Sequence, residues 1–286
     1  MQCASPRENP DLFWALRGGG PGLPFIVTRF HLRCYTHPGA IVRKSWLFRF
    51  TGLPGIVEAL ESVASSLDKR LQVMIALVPA PPALAVECRE EDAGRIAVFS
   101  AIAFADNNEN ACTLLDSLPV FADALGCVGN QTITMADIQQ QGQLCSASQR
   151  FRTDNILCDD PGRAVDIIMH HLPTSPSPDS QTLIVWRGRS ELPAAAYSTS
   201  GRYFISTYAR WAHAEDDQVN AAWLKRFYDD MAGIATGAYI NEFDLEGRLE
   251  EAFRCYSQTA FERLRCLRQV CDPTGIFDNP YSNRPS

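Results

Sequence analysis

The sequence predicts an α+β fold, in which an antiparallel sheet is covered by helices, rather than a doubly wound parallel sheet. Three observations carry this. Strand-like and helix-like stretches alternate irregularly; several strands follow one another like hairpin arms; and no repeating strand–helix unit or internal repeat is present.

The stretches run as follows. Residues 11–16 form a short helix, since Leu12, Phe13 and Leu16 share a face at helical spacing. Gly18-Gly19-Gly20-Pro21-Gly22 stops it. Residues 25–32 read as a strand, β-branched at Ile26 and Val27, and residues 46–50 as an aromatic-rich one. Residues 53–67 carry the helical stripe Ile56, Val57, Leu60, Val63 and Leu67. Strands at 72–78 and 95–104 are separated by Pro79, Pro81 and Pro82 and by an acidic turn at 87–92. Helices are expected at 111–125 and from Asp137 onward, with a polar, β-branched stretch between them.

Residues 161–171 form a further helix, started by Pro161, capped by Asp160 and closed by Pro173 and a Ser/Pro-rich loop at 174–180. Asp154 and Asn155 fall in the turn before it. Strands at 182–186 and 201–211 come next. Within the second, Tyr203 and Tyr208 stand at odd spacing and face opposite sides, so one can line a pocket while the other packs under a helix. Residues 216–235 form an amphipathic helix with Val219, Trp223, Phe227 and Met231 in steps of four. His213 reads as a loop residue, and His170-His171 as a favourable cation at a helix terminus. Pro273 ends the last helix, and the tail from Asn279 is expected to fray.

Bulk properties narrow the function. The 286 residues are 46% hydrophobic and 21% charged, an ordinary globular composition. A net charge of −7 with no dense Lys/Arg run argues against nucleic acid as partner. The longest apolar run, 73–86, is broken by its prolines and falls short of the about 20 residues a membrane span needs. The first residues hold no apolar signal-peptide core, so the cytoplasm is the default location. The ten cysteines form no C-x-x-C pair and no zinc spacing with histidine; most read as small buried hydrophobes, with no metal site expected.

Three separated stretches carry a resemblance. The first is Glu8-Asn9-Pro10-Asp11-Leu12-Phe13-Trp14-Ala15-Leu16-Arg17-Gly18-Gly19-Gly20, followed by Pro21-Gly22-Leu23-Pro24-Phe25-Ile26-Val27. The second is Arg150-Phe151-Arg152-Thr153-Asp154-Asn155, then Cys158-Asp159-Asp160-Pro161. The third is Gly237-Ala238-Tyr239-Ile240-Asn241-Glu242-Phe243-Asp244, with Phe261-Glu262-Arg263-Leu264 and Cys271-Asp272-Pro273-Thr274-Gly275-Ile276-Phe277. Together they resemble the C-terminal part of vanillyl-alcohol-oxidase-like flavoproteins, in the berberine-bridge-enzyme and 6-hydroxynicotine-oxidase branch, which includes fungal FAD-linked oxidoreductases. Departures are Leu23-Pro24-Phe25 in place of Asn-Phe-Gly, Gln149 for His, Ala260-Phe261 for Asn-Tyr, and Cys271 for Tyr. Residues 192–211 also look like the family's substrate-sheet strands.

The resemblance implies three regions: residues 1–40 from an FAD-binding domain, 41–235 a substrate-binding α+β domain, and 236–286 a segment returning to the FAD-binding domain. It implies FAD as cofactor, with Gly18, Gly19, Gly20, Ile26, Val27, Tyr239 and Asn241 lying along it. The family's N-terminal lobe, which wraps the pyrophosphate and tethers the flavin, has no counterpart in the sequence. Tight FAD binding by this chain alone is therefore not expected, and a separate lobe of about 150–200 residues or self-association would complete it. The implied reaction is oxidation of a small, secondary-metabolite-like substrate, with hydride leaving for the flavin and a protein base taking a proton. Glu242 is the candidate base, with Tyr208 as second catalytic residue. The competing reading makes Glu242 a surface glutamate at a strand end. A flavin-independent isomerase or cyclase using the same pocket, and a non-catalytic remnant, are the alternative functions.

Overall fold

The computed structural model describes residues 2–144, 149–188 and 191–277. The tail from Asn279 and Cys145 lie outside the described residues. Its centre is one eight-stranded antiparallel sheet, confirming the α+β class. In chain order the elements are α1 (Pro10–Leu16), β1 (Ala40–Arg49), α2 (Leu53–Val63), β2 (Leu71–Pro79), α3 (Pro82–Ala85), β3 (Arg95–Ala105), α4 (Asn108–Leu115), β4 (Gly126–Thr132) and α5 (Met135–Leu144). They continue with β5 (Arg150–Cys158), α6 (Pro161–His171), β6 (Gln181–Trp186), β7 (Tyr203–Trp211), α7 (Asp217–Met231), β8 (Ala235–Gly237) and α8 (Gln258–Cys271). The strand order is β4-β1-β3-β2-β6-β7-β5-β8.

Alternate residues of the strands make one face. Val42, Trp46, Val73, Ile75, Phe99, Ile184, Tyr203 and Ile205 pack against the buried stripes of α2, α4, α6 and α7. Trp46, Phe99 and Phe121 meet edge-on or tilted, with centroids 4.8–5.6 Å apart. Arg202 and Tyr203 tie β7 to α2 through Glu61, which takes both Arg202 nitrogens at 2.9 Å and the Tyr203 hydroxyl at 2.5 Å. On the other face Leu47, Ala76, Val98, Leu183 and Phe204 are half-buried while Ile41, Ile96, Ile102 and Leu157 are buried, and that face carries no helix of this core.

A second, smaller core joins the two ends of the chain. Trp14, Ala15, Leu23 and Phe25 pack with Ala196, Ala238, Ile240, Phe243, Tyr256, Phe261 and Leu264. The glycine turn makes that approach. Gly18 has φ 113°, and a Cβ there would lie 2.4 Å from the Tyr197 backbone nitrogen; Gly20 has φ 64°, and its Cβ would lie 2.7 Å from Ile240 Cγ2. Gly18→Ala is expected to destabilise the protein by about 2–3 kcal/mol, since strain and clash act together. A lowered urea midpoint at unchanged slope would show it; an unchanged midpoint would remove the close-approach argument.

Four sequence expectations are corrected. Residues 25–32 form no strand: they have no ladder partner among the described residues, and Ile26, Phe30 and Leu32 are largely exposed. The helix expected at 111–125 ends at Leu115, ahead of Pro119. The polar stretch after it is the edge strand β4. Residues 150–155, read partly as a turn, belong to β5, and Asp154 pairs inward with a distant arginine instead of shaping a loop. Asp160 does cap α6, accepting the Arg163 N–H at 3.0 Å. His171 is buried, stacked on Phe227, with Nε2 2.6 Å from Asp230.

Candidate functional site

The segment after β8 turns back across the edge of β5 and carries Glu242 over the uncovered sheet face. The clamp is built by two successive residues of β5 whose side chains point to opposite faces. On the uncovered face, Asn155 mimics a strand partner: its Oδ1 accepts the Tyr239 N–H at 2.7 Å, and its Nδ2 donates to the Tyr239 carbonyl at 2.9 Å. On the other, Asp154 takes the Arg248 guanidinium at 2.7 Å and the Asp244 N–H at 3.4 Å. Arg248 also donates to Glu251 at 3.1 Å, and its own N–H reaches the Asp244 carbonyl at 2.9 Å. Ile240 and Phe243 sink into the second core on either side. Between these anchors the chain forms one short 3₁₀ turn, Ile240–Glu242, which carries the glutamate.

Its carboxylate meets β7. The Ser206 hydroxyl donates to Oε2 at 2.7 Å and the Tyr208 hydroxyl to the same oxygen at 3.0 Å. Both come from one strand at a spacing of two, hence from one face. Thr153, opposite Tyr208 on β5, lies 3.5 Å from the Ser206 hydroxyl. With Ser206 donating to the carboxylate, Thr153 is the donor of that contact, giving a chain Thr153–Ser206–Glu242. Two donors on one oxygen hold the carboxylate, and among the described residues no side chain donates to Oε1. A half-buried carboxylate so held can take a proton from a group brought to the sheet face.

The other residues singled out from the sequence divide into two groups. Tyr239 lies beside Glu242, its ring edge-on to Phe204 and Tyr197, and its hydroxyl accepts from Asn241 Nδ2 at 2.8 Å; Asn241 itself is exposed. Gly18, Gly19 and Gly20 face protein: the space at their α-carbons is filled by Tyr197, Leu23 and Ile240, and the Gly19 carbonyl accepts from Tyr256 at 3.0 Å. Ile26 is 77% exposed and Val27 half-buried in a segment outside any strand. Tyr203 faces the helices, as the odd spacing from Tyr208 requires.

Sequence reasoning missed Ser206 and Arg248, and quoted Thr153, Asp154 and Asn155 only within the second stretch, without a part in the site. Ser206 had a findable signal, since it stands two residues from Tyr208 in a strand. Among the described residues no group of three or more His, Cys, Asp or Glu side chains could hold a metal ion, and no helix is long and apolar enough to cross a membrane.

The site is thus an antiparallel sheet with helices on one face and a glutamate held by two hydroxyls on the other. No family model matches the chain. It is 24% identical over 284 residues to the FAD-linked oxidoreductase janO of Penicillium janthinellum, covering 96% of this chain and 60% of that protein. It is 22% identical over 281 residues to the FAD-linked oxidoreductase penO of Penicillium crustosum, covering 94% and 58%. In fold it is similar to berberine-bridge-enzyme-like protein 1 of Physcomitrella patens, with TM-score 0.74, 14% identity, and coverage of 96% of this chain and 60% of that one. It is likewise similar to 6-hydroxy-D-nicotine oxidase of Arthrobacter nicotinovorans, with TM-score 0.74, 16% identity, and coverage of 99% and 63%. The chain thus resembles the C-terminal part of fungal FAD-linked oxidoreductases, and spans about 60% of the length of the curated relatives it matches.

Proposed function

We propose that this chain forms the substrate- and proton-handling side of an FAD-linked oxidoreductase acting on a small, secondary-metabolite-like molecule. The observation that carries the proposal is the Glu242 carboxylate, clamped from β5 and held by Ser206 and Tyr208 above the uncovered sheet face.

For a flavin the fit is to the ring side. The Asn241 carboxamide and Tyr239 hydroxyl, bonded to each other next to Glu242, form a donor–acceptor pair suited to the polar edge of a flat heterocycle. Tyr239 and Asn241 are the residues that would hold FAD there. The glycine turn is not a cradle, because Tyr197, Leu23 and Ile240 occupy its α-carbon side. When bound, FAD supplies the hydride acceptor that protein side chains lack.

The chain's own part is the proton. A substrate O–H, N–H or acidic C–H presented at Oε1 loses its proton to Glu242, while Ser206 and Tyr208 keep the carboxylate from turning away. Tyr208→Phe removes one of the two donors and is expected to lower kcat about tenfold with little change in KM. Steady-state kinetics on the wild type and the variant decide this; an unaltered kcat would take Tyr208 out of the site.

A second reading is a flavin-independent isomerase or cyclase, favoured by the packed glycine turn. The two are separated by the visible absorbance spectrum of the protein after FAD addition and desalting, with the Asn241→Ala variant alongside. A flavin band weakened in that variant supports the oxidoreductase. Turnover of a substrate with no flavin present supports the isomerase.

A further inference from the structure

The sheet ends in two unlike edges. β8 is three residues long, too short to offer a second chain a template. β4, at the other end of the strand order, is seven residues long and pairs only with β1. Its outer backbone N–H and C=O groups have no ladder partner among the described residues.

Folded proteins guard a free edge of this length with charged side chains, prolines or a bulge. From Ala124 to Ala136 the sequence holds neither a charged residue nor a proline, in a chain of net charge −7. Every β4 residue after Gly126 is exposed. Val120, Val128 and Met135, exposed by 96%, 41% and 50%, leave apolar surface around the strand. The one guard is a register shift between Arg43 and Ser45 on β1. Gly129 lies within it, and its α-carbon faces open space.

Charge and size choose the occupant. Two copies of an acidic chain repel least where neither carries charge, and a strand in antiparallel pairing is its own complement about a twofold axis. Such pairing sets the end of one β4 beside the start of the other. Arg43, which donates to Gln131 at 3.0 Å, then stands at the end where Asp123 leads into the strand of the second copy. A seven-residue edge is roughly 24 Å long and, with side chains on both faces, roughly 20 Å tall, on the order of 500 Å² per copy. That falls short of the about 800 Å² per side of a standard interface and lies in the range of transient ones.

We propose that β4 is a self-association edge, at which two copies pair antiparallel about a twofold axis normal to the sheet and form a weak, concentration-dependent dimer. The two eight-stranded sheets become one continuous sheet, with the helices of both copies on one side and both Glu242 residues on the other. Five strand spacings, roughly 24 Å, separate β4 from β7, so the dimer leaves each glutamate open. The proposal is independent of the reaction assigned to Glu242.

Sedimentation velocity of the purified full chain over a wide range of concentration tests it. The expected result is a sedimentation coefficient that rises with concentration and levels off at a dimer. Gly129→Lys and Val128→Lys place a charge on the edge and are expected to raise the dimer Kd about tenfold or more. Val270→Lys, a change at an equally exposed apolar residue on α8, is expected to leave it unaltered. Circular dichroism confirms that each variant is folded, and either β4 variant suffices alone. A chain that stays monomeric throughout overturns the proposal. So does a dimer that persists in the folded β4 variants or is lost equally in Val270→Lys, since another face then joins the copies. Growth beyond a dimer also overturns it, because pairing about a twofold axis closes.

Discussion

Glu242→Gln is expected to lower the rate of the proposed oxidation by about two to four orders of magnitude, the range for removal of a positioned general base, the role proposed for Glu242. Glutamine keeps the length of the side chain and an oxygen able to accept from Ser206 and Tyr208, so the turn at 240–242 is retained. What it loses is the capacity to take a proton. The effect therefore falls on kcat. Rates for the wild type and the variant on one substrate, with fold checked by circular dichroism, measure it. The Tyr203→Phe variant is the contrast: its hydroxyl meets Glu61 beneath the sheet and is expected to affect stability before rate.

The second large effect is on stability. Asp154 and Arg248 are almost fully buried, and their pair fastens the segment that carries Glu242. Asp154→Ala leaves a buried guanidinium with only Glu251 as ionic partner, at a cost of about 3–5 kcal/mol. Replacing both partners, as Asp154→Leu with Arg248→Met, is expected to cost far less, because neither charge then needs desolvating. Urea unfolding of the single and double variants checks this; equal losses would mean that the pair is not the clamp. A pH dependence follows from the same burial, which pushes the Asp154 carboxyl up to about 6 against the pull of Arg248 and of the backbone N–H groups of Asn155 and Asp244. Tyr228, Cys255 and Glu251 are the other titratable groups around the pair. The folded state holds this proton more tightly than the unfolded chain. The group's contribution is therefore complete below pH about 4 and is lost as pH rises through about 6. Asp154→Asn, which cannot titrate, should show a flatter stability profile across that window.

How much of this could be read from the sequence depended on whether the residues concerned find their partners nearby. The α7 stripe was legible for Trp223, Phe227 and Met231, which repeat within one helix and are all buried, whereas Val219, read as its first member, is exposed. The two faces of β7 followed from the spacing of Tyr203 and Tyr208. Hidden were the elements whose partners lie far along the chain. β5 begins with the exposed Arg150 and Phe151, and its buried Asp154 is satisfied by Arg248, 94 residues later. β4 is almost wholly exposed and has no apolar alternation to betray it. Residues 25–32 failed the other way: strand-like composition cannot make a strand without a neighbour for its backbone. At the site, Glu242 was named from resemblance and Tyr208 from its place in a strand, and the structure brings them to 3.0 Å. The glycines were assigned to a cofactor, yet Tyr197 and Ile240 give them a packing role that no motif reveals.

The most direct test of Glu242 as the proton acceptor of a flavin-dependent oxidation is anaerobic flavin reduction. The full chain, supplied with FAD, is mixed with a panel of fused-ring alcohols and amines, and bleaching of the visible flavin absorbance is timed in the wild type and in Glu242→Gln. The expected result is bleaching by at least one compound in the wild type, slowed about a hundredfold or more in the variant at equal flavin content. Equal bleaching rates in the two proteins would contradict it.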